Sequence, residues 1–406
     1  MCRSTVGPKT LLQVDGDLMA GVAASLLQAA LELAPRIASR AEETETAREV
    51  SRDLLDQIKA AGFFRMFAPR SHGGLELDLP SSLPILEALG RADGSTGWIV
   101  MIAVEGTMLL TFLPRHRFDT VFAHTPDVIS AGSFTLGGEA KAVENGFEVS
   151  GRWPFASGCL HAEWLLGHCV ISVSGAPRMN SASGLPETRL AVVRRDQAQV
   201  VDTWRVLGLR GTGSNDFVVE RLSVQSDDLI DPLFGQTSIT GPLYQQLLPQ
   251  FGLHIASVAI GIARHALDDT IALAKTLKRR LFALDAMIDS PVFQHDMGRA
   301  DSSLRAARSV LQSCAESFWS SLCSGRELSP EQIAEPSATA VWAATTAASV
   351  VDFCYSAAGG TAVYEASPLQ RHLRDIHTLT QHIGVSDGLL TRHGAALLGK
   401  NPVFGR

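Results

Sequence analysis

The apolar pattern of this chain changes period twice along its 406 residues. Up to about residue 125 apolar positions recur every three or four residues, as on a helix. From 126 to 235 short apolar runs alternate with turn residues. From 236 to 406 the helical spacing returns in long stretches. This order predicts a mostly α-helical protein with a small central β domain. We expect an N-terminal helical domain over 1–125, an antiparallel β-barrel or sandwich domain over 126–235 and a C-terminal four-helix bundle over 236–406.

Local signals fill in the three parts. Leu18, Val22, Leu26, Leu33 and Ile37 predict an amphipathic helix with Asp17 as its N-cap. Leu54, Leu55, Ile58 and Phe63 predict a second helix that stops at Gly62, and further helices are expected near Ser81 and near Ser95-Thr96. In the middle part Val128–Phe134 reads as a strand. Asn145-Gly146 between apolar runs predicts a hairpin, since both residues tolerate positive φ. Strands are expected at Trp164–Ile171, Leu190–Val193, Val218–Val219 and Leu222–Val224, and a mobile surface loop from Ser172 to Thr188. The last part predicts helices over His254–Arg280 and Pro291–Leu322. Two more are each opened by Ser-Pro-x-Gln, at Ser329 and at Ser367. Between Ala338 and Ala348 small apolar residues cover nearly every face, so that segment should lie inside the bundle and next to an oligomer interface.

Composition excludes several classes. Apolar residues make up 46% and charged residues 19%, which is not a disordered chain. The formal net charge of −7, with no long Lys/Arg run, argues against nucleic acid as a partner. No uninterrupted apolar run has the ~20 residues of a membrane span. The six cysteines (Cys2, Cys159, Cys169, Cys314, Cys323 and Cys354) include no C-x-x-C pair, so we expect buried thiols, a cytoplasmic setting and no metal.

Several motifs then stand together: Gly151-Arg152-Trp153-Pro154-Phe155-Ala156-Ser157-Gly158 after the hairpin, and Gly208-Leu209-Arg210-Gly211-Thr212-Gly213-Ser214 before the last strands. Near the C-terminus come Ala358-Gly359-Gly360, Ser367-Pro368-Leu369-Gln370-Arg371 and Leu373-Arg374-Asp375-Ile376-His377. From about Leu54 to Leu398 the chain resembles the acyl-CoA dehydrogenase fold, and within it the two-component (group D) flavin-dependent monooxygenases. The resemblance implies a homotetramer with flavin held between the β domain and the bundle. It implies reduced FMN or FAD (FMNH2 or FADH2) arriving from a separate NAD(P)H-flavin reductase. Reaction with O2 would then give a C4a-hydroperoxide that hydroxylates an aromatic or heteroaromatic small molecule.

The same resemblance nominates residues. Ser157 falls where the fold lays its β domain along the flavin edge, and is the candidate hydrogen-bonding partner of flavin N5; its plainer reading is a turn serine. Trp153 and Phe155 could wall the ring, or be core. Gly158 belongs to the same turn. Ser133 matches a flavin- or substrate-facing strand. Arg210, with the backbone of Gly211 and Thr212, could hold a phosphate or pyrimidine edge; the plainer reading is a tight turn. Ile383 stands where acyl-CoA dehydrogenases carry their catalytic Glu. His382 beside it matches the histidine of the hydroxylases, able to accept a phenolic proton or hold the hydroperoxide. His377 ranks lower, on another helical face. Glu105 stands where the hydroxylases often offer a histidine to the substrate.

Other readings stay open at this point. One is an acyl-CoA dehydrogenase with tightly bound FAD and its base near Glu105 or Asp285. Another is a non-catalytic binding or scaffold relative that kept the fold. Within the oxygenases, N-hydroxylation of an amine and oxidation of a thioether also remain open.

Overall fold

The computed structural model describes residues 8–181, 184–279 and 284–400. Six helices come first: α1 (Pro8–Ser39), α2 (Ala41–Ala47), α3 (Arg52–Ala60), α4 (Leu79–Ala92), α5 (Gly94–Leu110) and α6 (Arg115–Val121). The strands β1 (Ser130–Val143), β2 (Gly146–Trp153), β3 (Trp164–Val173), β4 (Ala176–Pro177), β5 (Thr188–Arg194), β6 (Gln199–Val201), β7 (Asp216–Val224) and β8 (Leu229–Ile230) follow. The chain ends in α7 (Leu247–Lys275), α8 (Pro291–Cys323), α9 (Pro330–Ala358), α10 (Pro368–Leu379) and α11 (Gly388–Leu397). The expected class, helices flanking one small sheet, is the fold observed.

Caps account for several helix starts. Asp78 accepts the Ser81 N–H at 2.8 Å and opens α4. Asp93 accepts both the N–H and the hydroxyl of Thr96, at 2.8 and 2.7 Å, and opens α5. Ser329 and Gln332 close the expected capping box on α9. The same four-residue pattern at Ser367 behaves differently. Ser367 makes no cap bond, and Gln370 turns back to the Glu365 carbonyl, so Pro368 alone marks that start. The first helix also begins earlier than Asp17, at Pro8, and α7 begins at Leu247 rather than His254 and ends at Lys275.

The sheet runs β6-β7-β2-β1-β3-β5-β8, with β4 paired to β3. It is not wholly antiparallel. Strand β1 is one long strand, bulged between Ser133 and Gly138, and it runs parallel to β3. The hairpin sits at Asn145-Gly146 as expected, with Val143 opposite Gly146. Only Gly146 carries positive φ there, and its missing side chain lets the Val224 carbonyl approach. The segment read as a mobile loop is tied down in part by β4, by an Arg178–Glu187 ion pair at 2.5 Å and by a bridge from Met179 to Pro186.

Behind the sheet α5 is buried on almost every face, as its apolar composition requires, and α7 packs on α4 and α9. Among the described helices α7 alone has the length and hydropathy of a membrane span, and 89% of that stretch is buried within the fold. The alanine-rich stretch of α9 buries Ala340, Ala343, Ala344 and Ala347, while Trp342 and Thr345 face outward. Cys159, Cys169, Cys314 and Cys354 are buried thiols, but Cys323 is exposed at the end of α8; Cys2 lies outside the described residues.

Candidate functional site

One cavity of about 470 Å³ opens between α5, the β1 edge of the sheet, the Leu209–Ser214 turn and the chain after α10. That volume is ordinary for a site holding small organic molecules. A single stripe of α5 forms one wall: Trp98, Ile102, Glu105, Gly106 and Leu109 recur at helical spacing.

Ser157 lines the cavity beside Trp98, from the turn after β2, and its hydroxyl belongs to a chain of bonds with only one consistent direction. Trp98 Nε1 can only donate, and gives its hydrogen to Ser157 Oγ at 3.0 Å. At the far end Thr212 Oγ1 donates to the Leu209 carbonyl at 2.7 Å. Between them Ser157, Ser214 and Thr212 are linked at 2.7 Å each. With both ends fixed, Ser157 must donate to Ser214 and Ser214 to Thr212. The Ser157 proton therefore points inward, and what Ser157 presents to the cavity is a lone pair.

His382 faces the same region. Its Nδ1 accepts the Gly384 N–H at 3.1 Å and caps the short turn Ile383–Val385. The ring proton is thereby placed on Nε2. Trp98 meets the imidazole edge-on, with centroids 5.4 Å apart. Burial lowers its pKa to about 4, so at neutral pH it is an uncharged donor. Of the two roles expected for it, holding a hydrogen bond fits this geometry; accepting a proton at Nε2 does not.

The mouth is apolar and exposed. Phe155 is 61% exposed and Ile383 is 73% exposed. Trp204 stands edge-on to Phe155 at 6.2 Å. Phe155 holds φ at 65° and Leu209 holds φ at 50°, conformations that bulky residues adopt only under strain.

Glu105 forms the far end with a partner that the sequence reading passed over. Its Oε1 lies 3.1 Å from Nδ1 of His254 on α7, whose ring stacks on Phe67 at 5.0 Å. His254 is fully buried and Glu105 is 5% exposed. Burial alone pushes the Glu105 carboxyl well above the usual range and His254 down to about 3, so burial favours the uncharged form of both.

Five expectations need correcting. Trp153 does not wall the cavity: it is 1% exposed, stacks on Phe217 at 4.9 Å and donates to the His168 carbonyl, as a core residue of the sheet. Gly158, Arg210 and Gly211 also fall outside the lining. Gly158 takes the left-handed turn that follows Ser157. Arg210 is directed at Glu45, 3.9 Å away. Gly211 is pressed against Thr44 and Ser95, so this segment is a packed turn. His377 pairs with Asp352 at 2.7 Å on the outer face of α10. The residues that do line the cavity are Ser133, Phe155, Ser157, Thr212, Glu105 and His382. Trp98, Thr378 and Gln381 join them without any sequence signal of their own, and Ser214 joins them from the Gly208–Ser214 motif, where the resemblance assigns it no role.

Two further groups lie elsewhere. Asp285 lines a separate cavity beside the start of α8. His265, Asp269 and His372 bring donor atoms within 4.8 Å of one another between α7 and α10, with His372 Nε2 2.9 Å from Asp269; none lines the main cavity.

Comparison with known proteins agrees with this architecture. Residues 26–113 match the acyl-CoA dehydrogenase N-terminal domain model, and residues 253–387 match an acyl-CoA dehydrogenase C-terminal domain model. The chain is 31% identical over 368 residues to an indole-3-acetate monooxygenase of Pseudomonas putida, covering 90% of this chain and 92% of that one. It is 29% identical to the flavin-dependent monooxygenase oxygenase subunit HsaA of Rhodococcus jostii, covering 86% and 92%. The solved structure of XiaF from a Streptomyces species, in complex with FADH2 and glycerol, shares the fold with a TM-score of 0.87 at 22% identity, over 95% of this chain and 98% of that one.

Proposed function

The chain belongs to the acyl-CoA dehydrogenase family, in its flavin-dependent monooxygenase branch, and from that premise we propose which of its residues serve the reaction. It is an oxygenase component that works with reduced FMN or FAD from a separate reductase, and with O2, on an aromatic small molecule. When bound, the reduced flavin supplies the electrons that activate O2 toward the substrate.

The residues present fit such a cofactor. A reduced flavin carries a hydrogen on N5, and the inward-turned Ser157 hydroxyl offers the acceptor that this hydrogen needs. The sequence nominated Ser157 for its ability to donate or accept; the bond network favours accepting. The exposed ring of Phe155 and the half-buried Trp204 beside it supply an apolar bed for a flat ring. Strain kept at Phe155 and Leu209 is consistent with residues held in place for a ligand. His382 Nε2–H is the donor we assign to the oxygen being transferred. The apolar rim supports an assembly of several copies, a homotetramer in this reading.

One observation carries the choice of monooxygenase over dehydrogenase chemistry. The only carboxyl group lining the cavity, among the described residues, is Glu105, and burial against His254 favours its uncharged form. Ile383, with no acid or base, lines the place where dehydrogenases of this fold carry their base. Removal of an α-proton from a thioester lacks its tool.

The test is steady-state oxygen consumption with a flavin reductase, NADH and a panel of indoles and phenols. Substrate-dependent formation of hydroxylated product, abolished when the reductase is omitted, is expected. Dye reduction by acyl-CoA thioesters without a reductase would overturn the reading.

A further inference from the structure

We propose that Glu105, His254 and Ser130 form a specificity pole that takes an uncharged N–H or O–H group of the aromatic substrate, at the end farthest from His382. The inference rests on the hydroxylase reading above and names the substrate class it implies.

Two polar atoms of lining residues at this end, Ser130 Oγ and Glu105 Oε2, lack a partner among the described residues, and His254 stands behind Glu105 without lining the cavity itself. Ser130 Oγ and His254 Nε2 are buried with no hydrogen bond. Glu105 has its Oε1 engaged by His254, which leaves Oε2 without a protein partner in the cavity wall. Ser130 and Glu105 are neighbours through Gly106: a side chain on Gly106 would run into Ser130 Oγ, so the hydroxyl stands over α5 one residue from the acid. Buried polar atoms are nearly always satisfied, and a ligand group placed here would satisfy two of these at once.

The pole is also at a definite distance from the chemistry. Trp98, which touches both Ser157 and His382, lies seven residues before Glu105 on α5. Seven residues of helix rise about 10 Å. Ile102 lies between the two on α5, and Leu166, Leu190 and Phe251 add apolar surface to the lining. A fused two-ring aromatic has the length and surface for that gap, with one polar atom at its end.

The pair can serve a donor or an acceptor. With the His254 proton on Nδ1 it donates to Glu105 Oε1, and the acid proton on Oε2 faces the cavity as a donor. With the acid proton on Oε1 it goes to Nδ1 instead, and Oε2 becomes an acceptor. The Ser130 hydroxyl rotates to complement either form. The pair faces no other ionised group on α5, α7, β1 or the Phe67 loop, and no Lys or Arg lines the cavity among the described residues. An anionic substituent would enter an apolar site with no counter-charge, which is costly. The pole therefore selects for uncharged rings.

Calorimetric titration of the flavin-free protein tests this without turnover. The probes are indole against 1-methylindole and 2-naphthol against 2-methoxynaphthalene, pairs that differ in one hydrogen-bonding proton. Wild type is expected to prefer the N–H or O–H member by about tenfold, the effect of one buried hydrogen bond left unmade. Glu105→Gln, uncharged and able to donate or accept, should keep the preference. Glu105→Leu should erase it while binding the methylated members as before. Ser130→Ala, a milder change with little risk to folding, should reduce it about threefold. Indole-3-acetate should bind more weakly than indole.

Equal binding of each pair by wild type, a preference that survives Glu105→Leu, or a Gln variant as impaired as the Leu variant overturns the proposal; so does failure of all four probes to bind. Oxygen consumption by wild type with reduced flavin is measured separately. Its failure would overturn the hydroxylase reading while leaving the binding preference intact.

Discussion

The two ends of the cavity handle protons in opposite ways. Around Ser157 every hydrogen has one destination: Trp98 gives to Ser157, Ser157 to Ser214, Ser214 to Thr212 and Thr212 to a carbonyl. Around Glu105 the shared proton can sit on either partner, and Ser130 Oγ and His254 Nε2 are buried without partners among the described residues. The first end is a fixed scaffold, built by turns of the β domain. The second is adaptable and is built by helix side chains meeting across α5 and α7. A site that must hold one invariant cofactor edge needs the first kind of order, and a site that must accept a substrate group of either polarity needs the second.

The sharpest way to break this comparison is at His382. Replacing it by Asn keeps an amide able to cap Gly384 but cannot reproduce the ring donor at the same reach. The rate of product formation should fall by about a hundredfold or more, the usual scale for a lost hydrogen-bond donor to a reacting oxygen. Flavin binding, measured by fluorescence quenching, should change little. Weaker flavin binding with an unchanged rate at saturating flavin would place His382 among the cofactor-holding residues instead.

A smaller effect is expected from Ser157→Ala. The Trp98 N–H loses its acceptor and Ser214 loses the hydrogen it receives. Two unmet hydrogen bonds should weaken reduced-flavin binding by about tenfold. The loss should be no greater in the double variant with Ser214→Ala, because both residues act through one chain. Additive losses would show that the chain is not the working unit.

How much of this was legible beforehand follows from the same contrast. The class of fold, the hairpin at Asn145-Gly146 and the cap on α9 were readable because each rests on local backbone chemistry. Ser157, Phe155 and His382 were reachable through the motifs around them, yet the direction of the Ser157 bond was not, since it is set by Trp98 and Thr212 from distant segments. Trp153 and Phe155 sit two residues apart in one motif and end in opposite surroundings, one buried and one exposed. The left-handed turn at Phe155 throws its ring outward while Trp153 keeps its place in the strand. His254 left no usable signal. It lies within an apolar helix, and only the approach of α5 reveals its partner.

Phe155 offers a milder test of the rigid end. Phe155→Gly removes a strained bulky residue from φ 65° and takes away the exposed ring at the mouth. Relief of strain works against the entropy of the added glycine, so the melting temperature of the flavin-free protein should stay within a few degrees or rise. Flavin affinity should nevertheless drop by several-fold through loss of the aromatic face. A fall in stability together with unchanged flavin binding would make Phe155 an ordinary packing residue.

The smallest effect concerns how the rigid end is anchored. Asp375 of α10 accepts the Leu209 N–H at 2.6 Å and so ties the Leu209–Ser214 turn to the bundle. Burial, with Asp93 nearby, raises its pKa to about 7. A carboxyl whose folded pKa lies above its unfolded value binds more protons in the native state between the two. Stability must then fall as pH rises from about 4 to about 7, the opposite of the usual paired carboxylate. Asp375→Asn keeps an acceptor for Leu209 and removes the titration. Its melting temperature should match wild type below about pH 4 and exceed it by a few degrees at pH 8. Equal pH profiles would mean that Asp375 is not uncharged in the fold. A variant less stable at every pH would mean that ionised oxygen, rather than any acceptor, is what holds the turn, and the rigid end would then depend on a buried charge.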